Sequence, residues 1–128
     1  MNPIPTRWRT TFEEQLDDAT RRLQLATNYL DQSEGGRALQ AAYPAVVAAA
    51  TVRVWLENPP WAKPMPASDL QRRTRESFPR MFAAIAALDL KDVLNSPWQT
   101  EAVRPYLREA QTFVTETRQR FDAWVGQG

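Results

Sequence analysis

Residues 11–33, TFEEQLDDATRRLQLATNYLDQS, carry apolar side chains at Phe12, Leu16, Ala19, Leu23, Ala26 and Leu30. Steps that alternate between four and three residues follow the 3.6-residue period and draw one stripe down an α-helix. Thr10 with Glu13, or Thr11 with Glu14, supplies a capping box at its start, and Gly35 with Gly36 ends it. Asp17 with Arg21 and Asp18 with Arg22 are spaced for (i, i+4) pairing on the outer face.

The neighbouring stretch has a different pattern. Residues 37–57, RALQAAYPAVVAAATVRVWLE, are apolar on nearly every side through the middle, which predicts a helix at the centre of a bundle. Pro44 either kinks that helix, by clashing with the carbonyl of Gln40, or marks its true first turn. Residues 58–67 hold Pro59, Pro60, Pro64 and Pro66 around Trp61 and are expected to form a stiff crossover. Ser68 with Gln71 offers the next capping box. Ser77, Phe78 and Pro79 restart a helix striped by Phe82, Ile85 and Leu88. Ser96, Pro97 and Gln99 repeat the start signal for a long last helix, with a stripe through Val103, Leu107, Ala110, Phe113, Thr117, Phe121 and Trp124. Pro105 should bend its first third, and Glu116 with Arg120 and Arg118 with Asp122 should pair on its wet side.

With no alternating β-branched run and no internal repeat, the fold expected is all-α: a four- or five-helix up-down bundle with a Pro-rich crossover between the second and third helices. Residues 1–128 are read as one domain, with residues 1–10 as a flexible N-terminal arm. The expected core anchors are Phe12, Leu16, Leu23, Leu30, Val47, Trp55, Phe82, Ile85, Phe113, Phe121 and Trp124.

Composition narrows function by exclusion. The 128 residues contain no His and no Cys, so imidazole-assisted nucleophiles, thiolates and the usual soft zinc ligands are absent. The glycines fall at Gly35, Gly36, Gly126 and Gly128, and none builds a phosphate-cradling loop ahead of a Lys. A net charge of +1 creates no global field to hold nucleic acid or an anionic membrane. The N-terminus has no apolar leader, and the longest near-apolar run, residues 41–52, falls short of the roughly 20 residues that a bilayer span requires. These features lead us to expect a cytoplasmic protein without a membrane segment, and nothing in the composition names a cofactor.

Three local features carry chemistry. Glu13, Glu14, Asp17 and Asp18, with Asp31 and Glu34 further on, are similar to the paired acidic motifs with which all-helical nucleoside triphosphate pyrophosphohydrolases of the MazG kind hold magnesium. Such a site needs a second acidic motif facing the first. Glu34 instead abuts two glycines, and Arg21 and Arg22 already match the cluster, so a solvated face is the leading reading. Arg72, Arg73, Arg75 and Arg80, with Lys63 upstream, form the most cationic stretch and are a candidate binding patch for phosphates or an acidic partner. Trp61 and Trp98 lie in or beside proline loops, where a large ring is either a lid on the core or an interface anchor.

Residues 16–29 (LDDATRRLQLATNY), 39–56 (LQAAYPAVVAAATVRVWL) and 107–121 (LREAQTFVTETRQRF) resemble the first, second and last helices of the HEPN superfamily of helical-bundle proteins. The resemblance implies a dimer. Many members are RNases whose site, at the dimer interface, uses an Arg followed four to six residues later by a His; here Arg104 and Arg108 are followed by none. It therefore implies a degenerate, non-catalytic member acting through protein association, as a homodimer or with a protein partner. Two other readings stand beside it: a nucleic-acid binder using the Arg-rich helix face, and a magnesium-dependent pyrophosphohydrolase using the acidic cluster.

Overall fold

Ala48, Ala49 and Ala50 are consecutive and all buried. At 100° per residue, three successive buried positions enclose a helix over most of its circumference, so neighbours must approach from several directions. The computed structural model, which describes residues 4–79, 82 and 99–127, supplies those neighbours. Among the described residues there are four helices and no strands: α1 (Thr6–Asp31), α2 (Gly35–Glu57), α3 (Ala67–Glu76) and α4 (Thr100–Gln127). The protein is an all-α helical bundle, and α2 is the helix that touches the other three.

Two buried clusters fix the directions. At one end, Leu23, Ala26 and Leu30 of α1 meet Ala38, Leu39 and Ala42 of α2 and Val103, Leu107 and Ala110 of α4. At the other, Phe12 and Leu16 of α1 meet Val52 of α2 and Phe121 of α4. The start of α1 thus lies beside the ends of α2 and α4, so α1 runs antiparallel to both. α3 returns along α2, with Phe78 edge-on to Tyr43 at a centroid distance of 5.8 Å and Arg73 beside Asn58. Helices α1 to α4 therefore alternate in direction, as an up-down bundle requires. The non-helical segment between α2 and α3 contains the four expected prolines.

The N-terminus departs from expectation. Residues 1–10 are not a loose arm throughout: α1 begins at Thr6, and Ile4 is buried. The reason is hydrophobic, since Trp8 continues the Phe12 stripe one turn back and its ring packs against Phe12 and Trp55. Neither expected capping box forms. Pro5 sits at the cap, and the hydroxyls of Thr10 and Thr11 donate to the carbonyls of Thr6 and Arg7 inside the helix. At α3 the cap is Pro66 and Ser68 is an interior residue. Pro44 takes the interior option, ten residues into a continuous α2, and Pro105 lies inside α4.

The turn between α1 and α2 also differs. The glycines do not end α1; they form the first turn of α2, and Ser33 takes the left-handed conformation instead, at φ 61°. The Glu34 N–H donates to the Tyr29 carbonyl and the Ser33 N–H to the Leu30 carbonyl, both at 2.9 Å. That pair of bonds is the Schellman closure of a helix end, here built without glycine.

Helix α2 spans 23 residues, with mean hydropathy 1.3 over its most apolar window, so by length and composition it is long and apolar enough to cross a membrane. In the bundle, 56% of that window is buried against protein, as befits a core helix. Of the expected anchors, Phe12, Leu16, Leu23, Leu30, Phe82, Phe113 and Phe121 are buried; Val47, Trp55 and Trp124 are half-buried against the two clusters. Ile85, Leu88 and the Ser96–Pro97 start signal lie outside the described residues.

Two stability changes follow. Ser33→Gly should stabilise the fold by about 1 kcal/mol, because glycine occupies a left-handed position without the Cβ penalty. Ala49→Leu should destabilise it by about 1–3 kcal/mol through overpacking of an enclosed position. Urea denaturation monitored by far-ultraviolet circular dichroism reads both.

Candidate functional site

Arg53 is a cation in the last turns of α2, otherwise uncharged from Ala38 to Leu56, and its side chain is only 14% exposed. Its Nε donates to the Thr117 hydroxyl at 2.6 Å, and one terminal nitrogen donates to the Phe113 carbonyl at 3.2 Å. Thr117, fully buried, donates its own hydroxyl to the same carbonyl at 2.7 Å. Glu116 lies 3.4 Å away, and the guanidinium carbon stands 3.9 Å over the Phe113 ring. Burial first, and the nearby Arg120 second, pull the Arg53 pKa below its ordinary value. The group is a clasp between α2 and α4, with Nε and one terminal nitrogen engaged by acceptors on α4.

Four tryptophans gather at the end of the bundle where α1 begins. Trp8, Trp55 and Trp61 surround Phe12, the Trp55 ring stacking on it at 5.4 Å, and Trp61 lies 6.3 Å from Trp124. Trp61 is half-buried and packs against this cluster. Trp98, the other candidate interface aromatic, lies outside the described residues, as does Arg80.

The remaining arginines of the candidate patch do not converge on one point. Arg72 lies between Asp69 at 3.8 Å and Glu76 at 3.6 Å on its own helix. Arg73 turns toward Asn58, donating to its side-chain oxygen at 3.3 Å, and Arg75 borders a shallow hollow with Tyr43 and Phe78. Three of the six acidic residues are also engaged. Asp18 pairs with Arg22 at 2.8 Å and Arg21 at 3.5 Å, Glu34 with Arg37 at 3.9 Å, and Asp17 reaches Arg118 of α4 at 2.6 Å. The pairings expected within α4 are thus replaced by ties to other helices, Glu116 to Arg53 and Arg118 to Asp17. Among the described residues no three acidic groups come together as a metal site.

No protein-family model, curated protein or solved structure matches the chain.

One face stands out by what it lacks. Residues 23–30 of α1 and 110–115 of α4 contain no charged side chain, although 24% of the chain is charged. The two runs lie side by side, with Thr20, Leu23, Gln24 and Thr27 facing Gln111, Val114 and Thr115 across a shallow groove. Gln24, Asn28, Gln111, Thr112 and Thr115 are exposed there. Leu25, 46% exposed, is the large hydrophobic side chain most open to solvent among the described residues; it lies on the same run of α1 but on the side turned away from the groove. Sequence reading overlooked this face because its two halves lie more than 80 residues apart.

The clasp yields a direct test. Thr117→Val should cost about 1–3 kcal/mol of stability, since it keeps the shape and leaves a buried Arg53 donor without its acceptor. Thr117→Ser, which keeps the hydroxyl, should lose less. Thermal melts of the two variants against wild type make the comparison.

Proposed function

We propose that this chain is a non-catalytic, HEPN-like bundle that acts by association, pairing with a second copy of itself through the charge-free face of α1 and α4. The supporting observation is that uncharged face, because depletion of charge at the centre of a patch is the compositional mark of protein interfaces. A neutral centre also meets its own copy without like-charge repulsion, as a two-fold interface demands.

The rim favours the same partner. On α1 the face is bounded by Arg21 at one end and Asp31 at the other; on α4, which runs the opposite way, Glu116 lies toward the Arg21 end and Arg108 toward the Asp31 end. A two-fold axis along the helices sets Arg21 opposite Glu116 of the second copy. An axis across them sets Arg21 opposite Asp31. Either arrangement pairs opposite charges around an uncharged middle, which suits steering and register more than raw affinity.

Sedimentation equilibrium at high micromolar concentration should show wild type as a dimer. The double change Gln24→Glu with Gln111→Glu should make it monomeric, with thermal stability nearly unchanged because both side chains are exposed. A monomeric wild type, or a variant that stays dimeric, overturns the assignment.

A further inference from the structure

Between the end of α2 and the start of α3 the chain turns through Pro59, Pro64 and Pro66 and borders a hollow of about 330 Å³. That volume lies in the range of small-ligand sites. Prolines fix backbone torsions in advance, so the walls lose little entropy when a ligand is held.

Four charged residues line the hollow: Glu57, Lys63, Asp69 and Arg73. By count they cancel, but their partners differ. Asp69 faces Arg72, which is not part of the lining, at 3.8 Å, whereas Glu57 makes no ion pair among the described residues and leaves the two cations in excess by one. Lys63 and Arg73 have no carboxylate partner among the described residues. Arg73 is instead oriented by a neutral group. It donates to the Asn58 side-chain oxygen at 3.3 Å, and Asn58 is held in turn by donating its side-chain nitrogen to the Val54 carbonyl at 3.3 Å and its backbone N–H to the same oxygen at 2.8 Å. One arm of the guanidinium fork is anchored and the others remain available.

The start of α3 adds to this balance. Its cap is Pro66, which offers no side-chain acceptor, so the positive end of the helix dipole adjoins the hollow, whose lining includes Pro66 and Asp69.

We infer that this hollow binds the compact oxyanion group of a small ligand, a carboxylate or a phosphate, between Lys63 and the oriented fork of Arg73. A planar guanidinium fork matches both groups, and a lysine beside it supplies the second positive charge. This site lies on α2 and α3, away from the association face, and does not depend on the protein being a dimer.

The test is titration of the full chain, ¹⁵N-labelled, with inorganic phosphate and separately with succinate, against sodium chloride at matched ionic strength. Saturable shifts of the Ala62, Lys63 and Asp69 amides are expected with at least one of the two anions and not with chloride. The melting temperature should rise with that anion by mass action. The anion that saturates tells a phosphate ligand from a carboxylate one. Lys63→Ala and Arg73→Gln should each weaken binding tenfold or more, whereas Arg104→Gln, at an exposed cation on α4, should leave it unchanged. Because Lys63 is exposed on the loop, its variant keeps the test valid if Arg73→Gln misfolds. Shifts no larger than those with chloride, or binding that survives both substitutions, overturn the assignment.

Discussion

A helix with alanine and valine on every side has no face to give to water. Everything else in this molecule is arranged around that fact. Eleven residues of α2 are buried, and they include neighbours in sequence as well as residues a turn apart. Alanine presents little bulk, so neighbouring helices approach such a surface closely, and the single apolar stripes of α1 and α4 supply most of its cover. The short turn at Ser33 and the proline segment after Glu57 are the connections that let one chain lay several helices on the same axis.

Arg53 shows how a charge is tolerated in such a helix. Removing a guanidinium from water is costly unless it is compensated, and here the Thr117 hydroxyl, the Phe113 carbonyl and Glu116 engage Nε and one terminal nitrogen while the Phe113 ring lies against its face. The clasp joins residues more than 60 positions apart and selects one axial setting of α4 against α2. Asp17 with Arg118 ties α4 to α1 as well, but Asp17 is exposed and Arg118 about one third so, and such solvent-facing pairs contribute about 0–1 kcal/mol. Register between the long helices therefore rests on the buried clasp more than on the surface pairs.

The stripe of α1, the apolar character of α2 and the alternation in helix direction were legible in the sequence, because each is a periodic pattern within one segment or follows from a short connection. Helix ends were less so. Thr10, Thr11 and Ser68 match the composition of caps, but tertiary burial of Ile4 and Trp8 extended α1 past them, and a proline stood at the start of α3. The signal for the early start was present: Trp8 precedes Phe12 by four residues, and Ile4 precedes Trp8 by four. A lone arginine at position 53 announces that a partner is needed without saying which. The uncharged face and the proline-cornered hollow are each assembled from separate segments, and no periodicity within one segment exposes such a site.

Four of the five tryptophans stand together at the end of the bundle where α1 starts and α2 and α4 finish. Indole emission responds to its immediate surroundings, so the intrinsic fluorescence of this protein is a reporter of that end. Fraying around Ser33, at the opposite pole, would leave the emission of those four indoles nearly unchanged while backbone ellipticity fell. Disagreement between the two optical signals during denaturation would then measure how far the poles of the molecule open independently, a property that either signal alone would hide.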